Sequence, residues 1–222
     1  MADRPHAGSC VMSTLARLRT RYQDGRVAAG YAAARFRSPM GRLRNALKFR
    51  AIRRVLGRCG PVERVLDIPC GTGRFTARLP GRAAIGADVS LAMLREAAGS
   101  AHRRVAWVQG DIENLPFRSG SFDCIVTIRF LRHLPGPERV KVLERLREAS
   151  RRWVVFDFVH RSSWKALTEK ARSVLGARVR IRERLSGDEV TEELRAAGLR
   201  PVAMVPCLRF WSEKWVVLAE RA

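Results

Sequence analysis

Short apolar runs along this chain alternate with stretches in which apolar residues recur every three or four positions, a pattern of buried strands separated by helices. The first run, Val65-Leu66-Asp67-Ile68, is short, mostly apolar and partly β-branched, the mark of a strand covered on both faces. Runs at 83–88, 105–108, 122–128 and 153–158 predict four more strands. Between them, a short helix is expected over 75–79, ended by Pro80-Gly81, and another after Ser90 that carries Leu91, Met93 and Leu94. A third helix spans 137–150, with Val140, Leu143 and Leu146 on one face. A fourth begins at Ser186, where Glu189 completes a capping box and Leu185 can staple to Val190, and it ends at Gly198. Apolar stretches at 201–208 and 214–219 lie too close together for a helical crossover, so they must form an antiparallel hairpin.

The pattern before residue 60 is different. Residues 1–25 read as poorly ordered or loosely helical, and 31–56 as helical segments broken near Ser38-Pro39-Met40-Gly41. In the second segment Ala46, Phe49, Ile52 and Leu56 share a face, while Arg42, Lys48, Arg50, Arg53 and Arg54 lie elsewhere. Such a basic amphipathic helix either packs its apolar face on a sheet or rests on an anionic membrane or nucleic acid. Gly60-Pro61 marks a boundary. It divides a helical cap over 1–60 from a main domain over 61–222.

Composition narrows the classes. With 222 residues, 46% of them hydrophobic, the chain suits one domain with a sizeable core and argues against disorder. No apolar stretch approaches the roughly 20 residues that cross a bilayer. The start of the chain has no apolar core of a signal peptide. Five scattered cysteines (Cys10, Cys59, Cys70, Cys124, Cys207) lack metal-ligand spacing, so no metal site is expected and reduced thiols in a cytoplasmic protein are. The 43 Lys and Arg against 21 Asp and Glu give a formal charge of +22. A field of that sign attracts anions: RNA, acidic lipid or an anionic substrate.

The chemistry concentrates after the first strand, in Asp67-Ile68-Pro69-Cys70-Gly71-Thr72-Gly73. Glycines at a strand-to-helix turn allow positive φ and bring backbone close to a ligand, at the end of an open α/β sheet where nucleotides bind. Asp88 closes the second strand, and Gly110-Asp111-Ile112-Glu113-Asn114-Leu115-Pro116-Phe117 follows the third. A carboxylate at a strand end can accept both hydroxyls of a ribose. A nicotinamide dehydrogenase would want a third glycine at position 76, which is Thr76, and gives neither the 110–117 stretch nor the final hairpin a role.

From residue 62 onward these motifs, in this order, resemble the class I S-adenosylmethionine-dependent methyltransferases. The resemblance implies an α/β Rossmann-like three-layer sandwich, a seven-stranded mostly parallel sheet closed by an antiparallel hairpin. It implies S-adenosyl-L-methionine as cofactor, held by Asp67, Pro69, Cys70, Gly71, Gly73, Asp88, Val89, Met93, Gly110, Asp111, Ile112, Thr127, Ile128 and Arg129. Among these, Asp88 takes the ribose, Asp111 the adenine amine with the Ile112 amide at the ring, and Asp67 the ligand's ammonium. Pro69 departs from the family's first glycine and removes one backbone donor. Cys70 reads as a small filler of the turn.

The implied reaction is in-line attack on a sulfonium methyl, in which positioning and exclusion of water supply most of the acceleration. His133, His160 and Tyr31 are the candidates for a base, needed where the acceptor arrives protonated. Arg129 and Arg35 are candidates for a carboxylate. The fourth strand is followed by Thr127-Ile128-Arg129-Phe130 and lacks the Asn/Asp-Pro-Pro-aromatic run of base-amine methylases. A small-molecule or lipid-like acceptor is therefore expected, with 161–185 and the first helices as its lid. The alternative is a tRNA methyltransferase, which the 115–121 stretch and the charge would suit. A non-catalytic binding protein that keeps the fold is a further reading.

Overall fold

A computed structural model describes residues 13–23, 38–99, 104–161, 183–208 and 212–222. Seven strands form one sheet: β1 (Arg64–Asp67), β2 (Ala83–Asp88), β3 (Val105–Gln109), β4 (Phe122–Thr127), β5 (Ser150–Val159), β6 (Leu199–Pro206) and β7 (Lys214–Arg221). Their order is β3-β2-β1-β4-β5-β7-β6. The first five run parallel, and β7 lies antiparallel between β5 and β6. The expected sheet and hairpin are therefore both present. Strand order reverses at β1, which pairs with β2 on one side and β4 on the other, and that switch point opens a crevice at the carboxyl ends.

Helices cover both faces. Helices α1 (Thr14–Gln23), α3 (Leu91–Ala98), α4 (Gly136–Ala149) and α5 (Gly187–Ala196) join α2 (Pro39–Leu56), with 3-10 turns at Thr76–Arg78 and Leu131–His133. One core cluster joins Leu66, Ile125, Phe156 and Val217 to Leu143 and Leu146 of α4 and Leu194 of α5. The other joins Val65, Val126, Val155 and Val216 to Ala51, Ile52 and Val55 of α2. Alternation along each strand sends successive residues to opposite clusters, as a sheet buried on both faces demands. Within the span expected as a cap, α2 forms one outer layer of the sandwich.

The caps explain where two helices start. Ser90 accepts from the Met93 amide, and Ser186 and Glu189 form the reciprocal capping box. Gly198 follows α5 at φ 70°. Buried Arg139 ties α4 to α5, donating to Glu193 at 2.6 Å and to the Leu134 carbonyl at 2.6 Å. The expected face of α2 needs correction. Its buried residues are Asn45, Lys48, Ala51, Ile52, Val55 and Leu56, whereas Ala46 is exposed. Lys48, expected on the solvated side, is 1% exposed because a buried acidic partner on β5 receives it.

Candidate cofactor cleft

The cleft lies over the carboxyl ends of β1 to β4 and encloses about 1040 Å³ of space, its mouth included. Three of these strands bring a carboxylate to its wall. Asp67 ends β1, Asp88 ends β2 beside Gln109 of β3, and Asp111 follows β3 by two residues. The loop between β1 and β2 forms the floor with Ile68, Pro69, Cys70, Gly71, Thr72, Arg74 and Phe75.

Strand-end hydrogen bonds fix this floor. The Cys70 amide donates to the Ala87 carbonyl at 2.9 Å, and the Gly71 amide donates to Asp88 at 2.8 Å. The loop is thus strapped to β2, and its approach to the cleft comes from the absence of side chain. At Gly71, with φ 55°, an added Cβ would stand in open space. Gly73 has a different reason to be glycine. Its φ is 67°, and a Cβ there would come within 2.3 Å of the Trp107 ring. That ring leaves no room for a side chain at Gly73.

Asp88 is 5% exposed, and its second oxygen accepts from the Ser90 amide at 2.9 Å. The backbone amides of Gly71, Val89 and Ser90 all reach this carboxylate, which keeps acceptor capacity for a hydroxyl. Burial raises its pKa against the amides of Ser90 and Gly71. Asp67 is 2% exposed and accepts from the Thr76 hydroxyl at 2.5 Å. Burial pushes Asp67 up to about 7; the Thr76 bond opposes the rise and the charge of Asp88 adds to it. The thiol of Cys70 is pushed up by burial and by both aspartates, so it stays protonated and fills the turn.

Of the expected contact residues, Asp67, Pro69, Cys70, Gly71, Asp88, Val89, Met93, Gly110, Asp111, Ile112, Ile128 and Arg129 meet on the wall. Gly73 and Thr127 stand behind it, Gly73 on Trp107 and Thr127 wholly buried in β4. His133 is exposed on the 3-10 turn beyond Phe130. His160 stacks on Trp215 with ring centroids 4.6 Å apart. Both histidines lie outside the wall, at the ends of β4 and β5. Tyr31, Arg35 and the span 162–182 fall outside the described residues.

Sequence reasoning expected the first helices as a lid but named no residue of α1, and it left three parts of the site without residues. Leu15, Leu18 and Arg19 of α1 line the cleft, so residues expected to be loosely helical supply a wall. Arg19 donates to Asp111 and, at 2.8 Å, to Glu113, and the Thr14 amide donates to Glu138 of α4 at 3.2 Å. The spacing of Leu15 and Leu18 was a signal, though one turn is short evidence. Arg74 lines the cleft together with Arg129. The last part is a buried ion network at the end of β5. Asp157, 1% exposed, receives Lys48 and the Arg129 amide, with Arg132 at 3.8 Å. Burial pushes the Asp157 carboxyl up, but Lys48 and Arg132 prevail and hold it at about 2. Arg129 has φ 69°, a left-handed conformation that non-glycine residues rarely adopt, and its bond to Asp157 helps to hold it there.

Comparison with known proteins agrees with this geometry. Residues 65–152 match the family model described as a methyltransferase domain. Trans-aconitate 2-methyltransferase from Deinococcus radiodurans is 38% identical over 84 residues, covering 36% of this chain and 31% of that enzyme. The 27-O-demethylrifamycin SV methyltransferase of Amycolatopsis mediterranei is 27% identical over 173 residues, covering 72% of this chain and 62% of that enzyme. The chain thus spans under two thirds of the length of either relative. In fold it is similar to magnesium protoporphyrin IX methyltransferase from Synechocystis with bound SAH, at a TM-score of 0.74 and 13% identity over 93% of this chain and 99% of that one.

Proposed function

We propose that this chain, a class I S-adenosylmethionine-dependent methyltransferase by its domain and fold, moves a methyl group from S-adenosylmethionine to a small-molecule or lipid-like acceptor. The observation that carries the proposal is the meeting of Asp67, Asp88 and Asp111 on one cleft at the switch point of the sheet. In this reading Asp88 accepts the ribose hydroxyls, Asp111 the adenine amine, and Asp67 the ammonium. Leu15, Leu18, Met93 and Ile112 shield the site from water. Bound S-adenosylmethionine supplies an electrophilic sulfonium methyl. With the acceptor held beside it, a lone pair of the acceptor would form the new bond to that carbon as the carbon–sulfur bond broke and its electrons passed to sulfur. A protonated acceptor gives its proton to a base, and His133 or His160 is proposed for that step.

One feature supports a small acceptor: the relatives compared above are named for small-molecule substrates. Calorimetric titration of the whole chain with S-adenosylhomocysteine tests the cofactor half. Saturable binding by the native chain that weakens in Asp88→Ala is expected, and equal affinity in both would remove Asp88 from the site.

A further inference from the structure

Helix α2 has two faces with different partners. One packs Ala51, Ile52 and Val55 on the sheet. Along the other, Met40, Leu43, Leu47, Arg50 and Arg54 recur at three- and four-residue spacing. Met40 at 55% and Leu43 at 53% are the most exposed large apolar side chains among the described residues. Arg42, Arg44, Arg50, Arg53 and Arg54 are exposed as well, and α2 contains no acidic residue. None of these five arginines meets a carboxylate among the described residues. The helices on the opposite face of the sheet differ. In α4, Glu138, Glu144 and Glu148 alternate with the cations, and α5 sets Asp188, Glu189, Glu192 and Glu193 against Arg195. Position gives the outward face of α2 its use. Lys48 meets Asp157 near the end of β5, while the Cys59 carbonyl, just past the helix, accepts from the Trp153 indole near that strand's start at 3.0 Å. Helix and strand therefore run in opposite directions. Met40 and Leu43 rise roughly 8–12 Å beyond Lys48 at 1.5 Å per residue, at the end of the sheet where the cleft opens. Arg50, Arg53 and Arg54 lie lower, and with Phe49 and Arg78 they line a groove of about 950 Å³, its open side included.

We infer that the outward face of α2 docks the protein on a membrane of anionic lipid, with Met40 and Leu43 entering the interface and Arg42, Arg44, Arg50 and Arg54 meeting head-group phosphates. Helices that lie in a membrane surface combine these two elements: apolar side chains that leave water, and cations drawn to the negative surface. Guanidinium groups pair well with phosphate oxygens. RNA fits the same charge less well. Single strands are held by stacking on open aromatic rings, and the ring in the groove is already taken. Arg78 lies over Phe49 at 5.6 Å, and Phe75 stacks on it with centroids 6.5 Å apart. RNA would also leave Met40 and Leu43 in water, whereas a bilayer covers them. The docking does not depend on methyl transfer. Its consequence for the acceptor does rest on that reading: held by the first turns of α2, the bilayer comes up to the rim on which the cleft opens, and a lipid-like acceptor enters from it.

The test is co-sedimentation of the full chain with vesicles of phosphatidylcholine, alone or mixed with an equal amount of phosphatidylglycerol. Binding to the mixed vesicles only, weakening as salt rises, is the expected result. Arg50→Gln combined with Arg54→Gln should weaken it by about fivefold for each charge removed. Met40→Ser combined with Leu43→Ser should weaken it by about tenfold or more, because their apolar surface no longer leaves water. These side chains are exposed and lie outside the cleft wall, so melting temperature and S-adenosylhomocysteine affinity should stay native. Lys141→Gln combined with Arg145→Gln removes the same charge from exposed positions of α4, on the opposite face, and should bind as the native chain does. No binding to the mixed vesicles, an equal loss in the α4 variant, or native binding by the Met40 and Leu43 variant would overturn the inference. Binding to bulk transfer RNA that the arginine changes weaken, with no vesicle binding, would put RNA in the place of the membrane. Vesicle binding by a native chain that fails to take S-adenosylhomocysteine would instead overturn the cofactor reading and leave the docking surface standing.

Discussion

Asp67 ends β1, Asp157 lies two residues before the end of parallel strand β5, and these carboxylates, 2% and 1% exposed, are shifted in opposite directions. Burial pushes Asp67 up to about 7, with Asp88 adding to the rise and the hydroxyl and backbone amide of Thr76 donating against it. Burial acts on Asp157 too, yet Lys48 and Arg132 hold it at about 2. The rim is thereby divided. Its β1–β3 half presents carboxylates, fit for the hydroxyls and ammonium of a cofactor. Its β4–β5 part holds its carboxylate inside a buried network with Lys48 and Arg132. Burial sets no fixed direction for a functional carboxylate; the charges brought to it by other elements do.

The largest expected effect breaks this buried network. Asp157→Ala strands Lys48 and Arg132 without their carboxylate and should lower stability by about 3–5 kcal/mol, read by denaturant unfolding. In the acidic half, Asp88→Ala should lower cofactor affinity by about 1–3 kcal/mol, with a smaller loss of stability. Cofactor affinity should also depend on pH. In the proposed role of Asp67 its ionised form meets the ligand's ammonium, so affinity should fall by about tenfold for each pH unit below 7 and level off above it. The two carboxylates act on stability in opposite directions. Asp67, raised in the folded state, binds its proton more tightly there, so its contribution is fully present at acid pH below its ordinary range and is lost as pH rises to about 7. Asp157, lowered in the folded state, contributes above its ordinary value of 3.8 and loses that contribution as pH falls to about 2. Asp67→Asn should remove the pH step in cofactor affinity, and its persistence would reassign the step. The smallest effect on binding is expected at the histidines: His133→Ala and His160→Ala should slow turnover and leave S-adenosylhomocysteine affinity unchanged.

Much of the acidic half was legible in the sequence because local chemistry marks it. A short apolar run, an aspartate at its end and glycines in the following turn all fall within nine residues, 65–73. The Ser186–Glu189 capping box is equally local. The buried network was hidden because it depends on distant partners. Lys48 and Asp157 are 109 positions apart, and a lysine beside Phe49 on a helix rich in arginine gives no sign of burial. The helical period placed Ala46 and Phe49 inward; the helix is turned so that Asn45, Lys48, Ile52 and Val55 face the sheet. Gly73 shows a related limit. A glycine in a nucleotide loop reads as an opening for ligand, whereas Trp107, from a strand not adjacent in the chain, is what forbids a side chain there.

The most direct measurement is methyl transfer from labelled S-adenosylmethionine into two extracts of the source cell, one of small molecules and lipids and one of bulk RNA. Label in the small-molecule and lipid fraction, lost with Asp88→Ala, is the predicted result. Label in RNA, or in neither extract despite cofactor binding, would contradict the account.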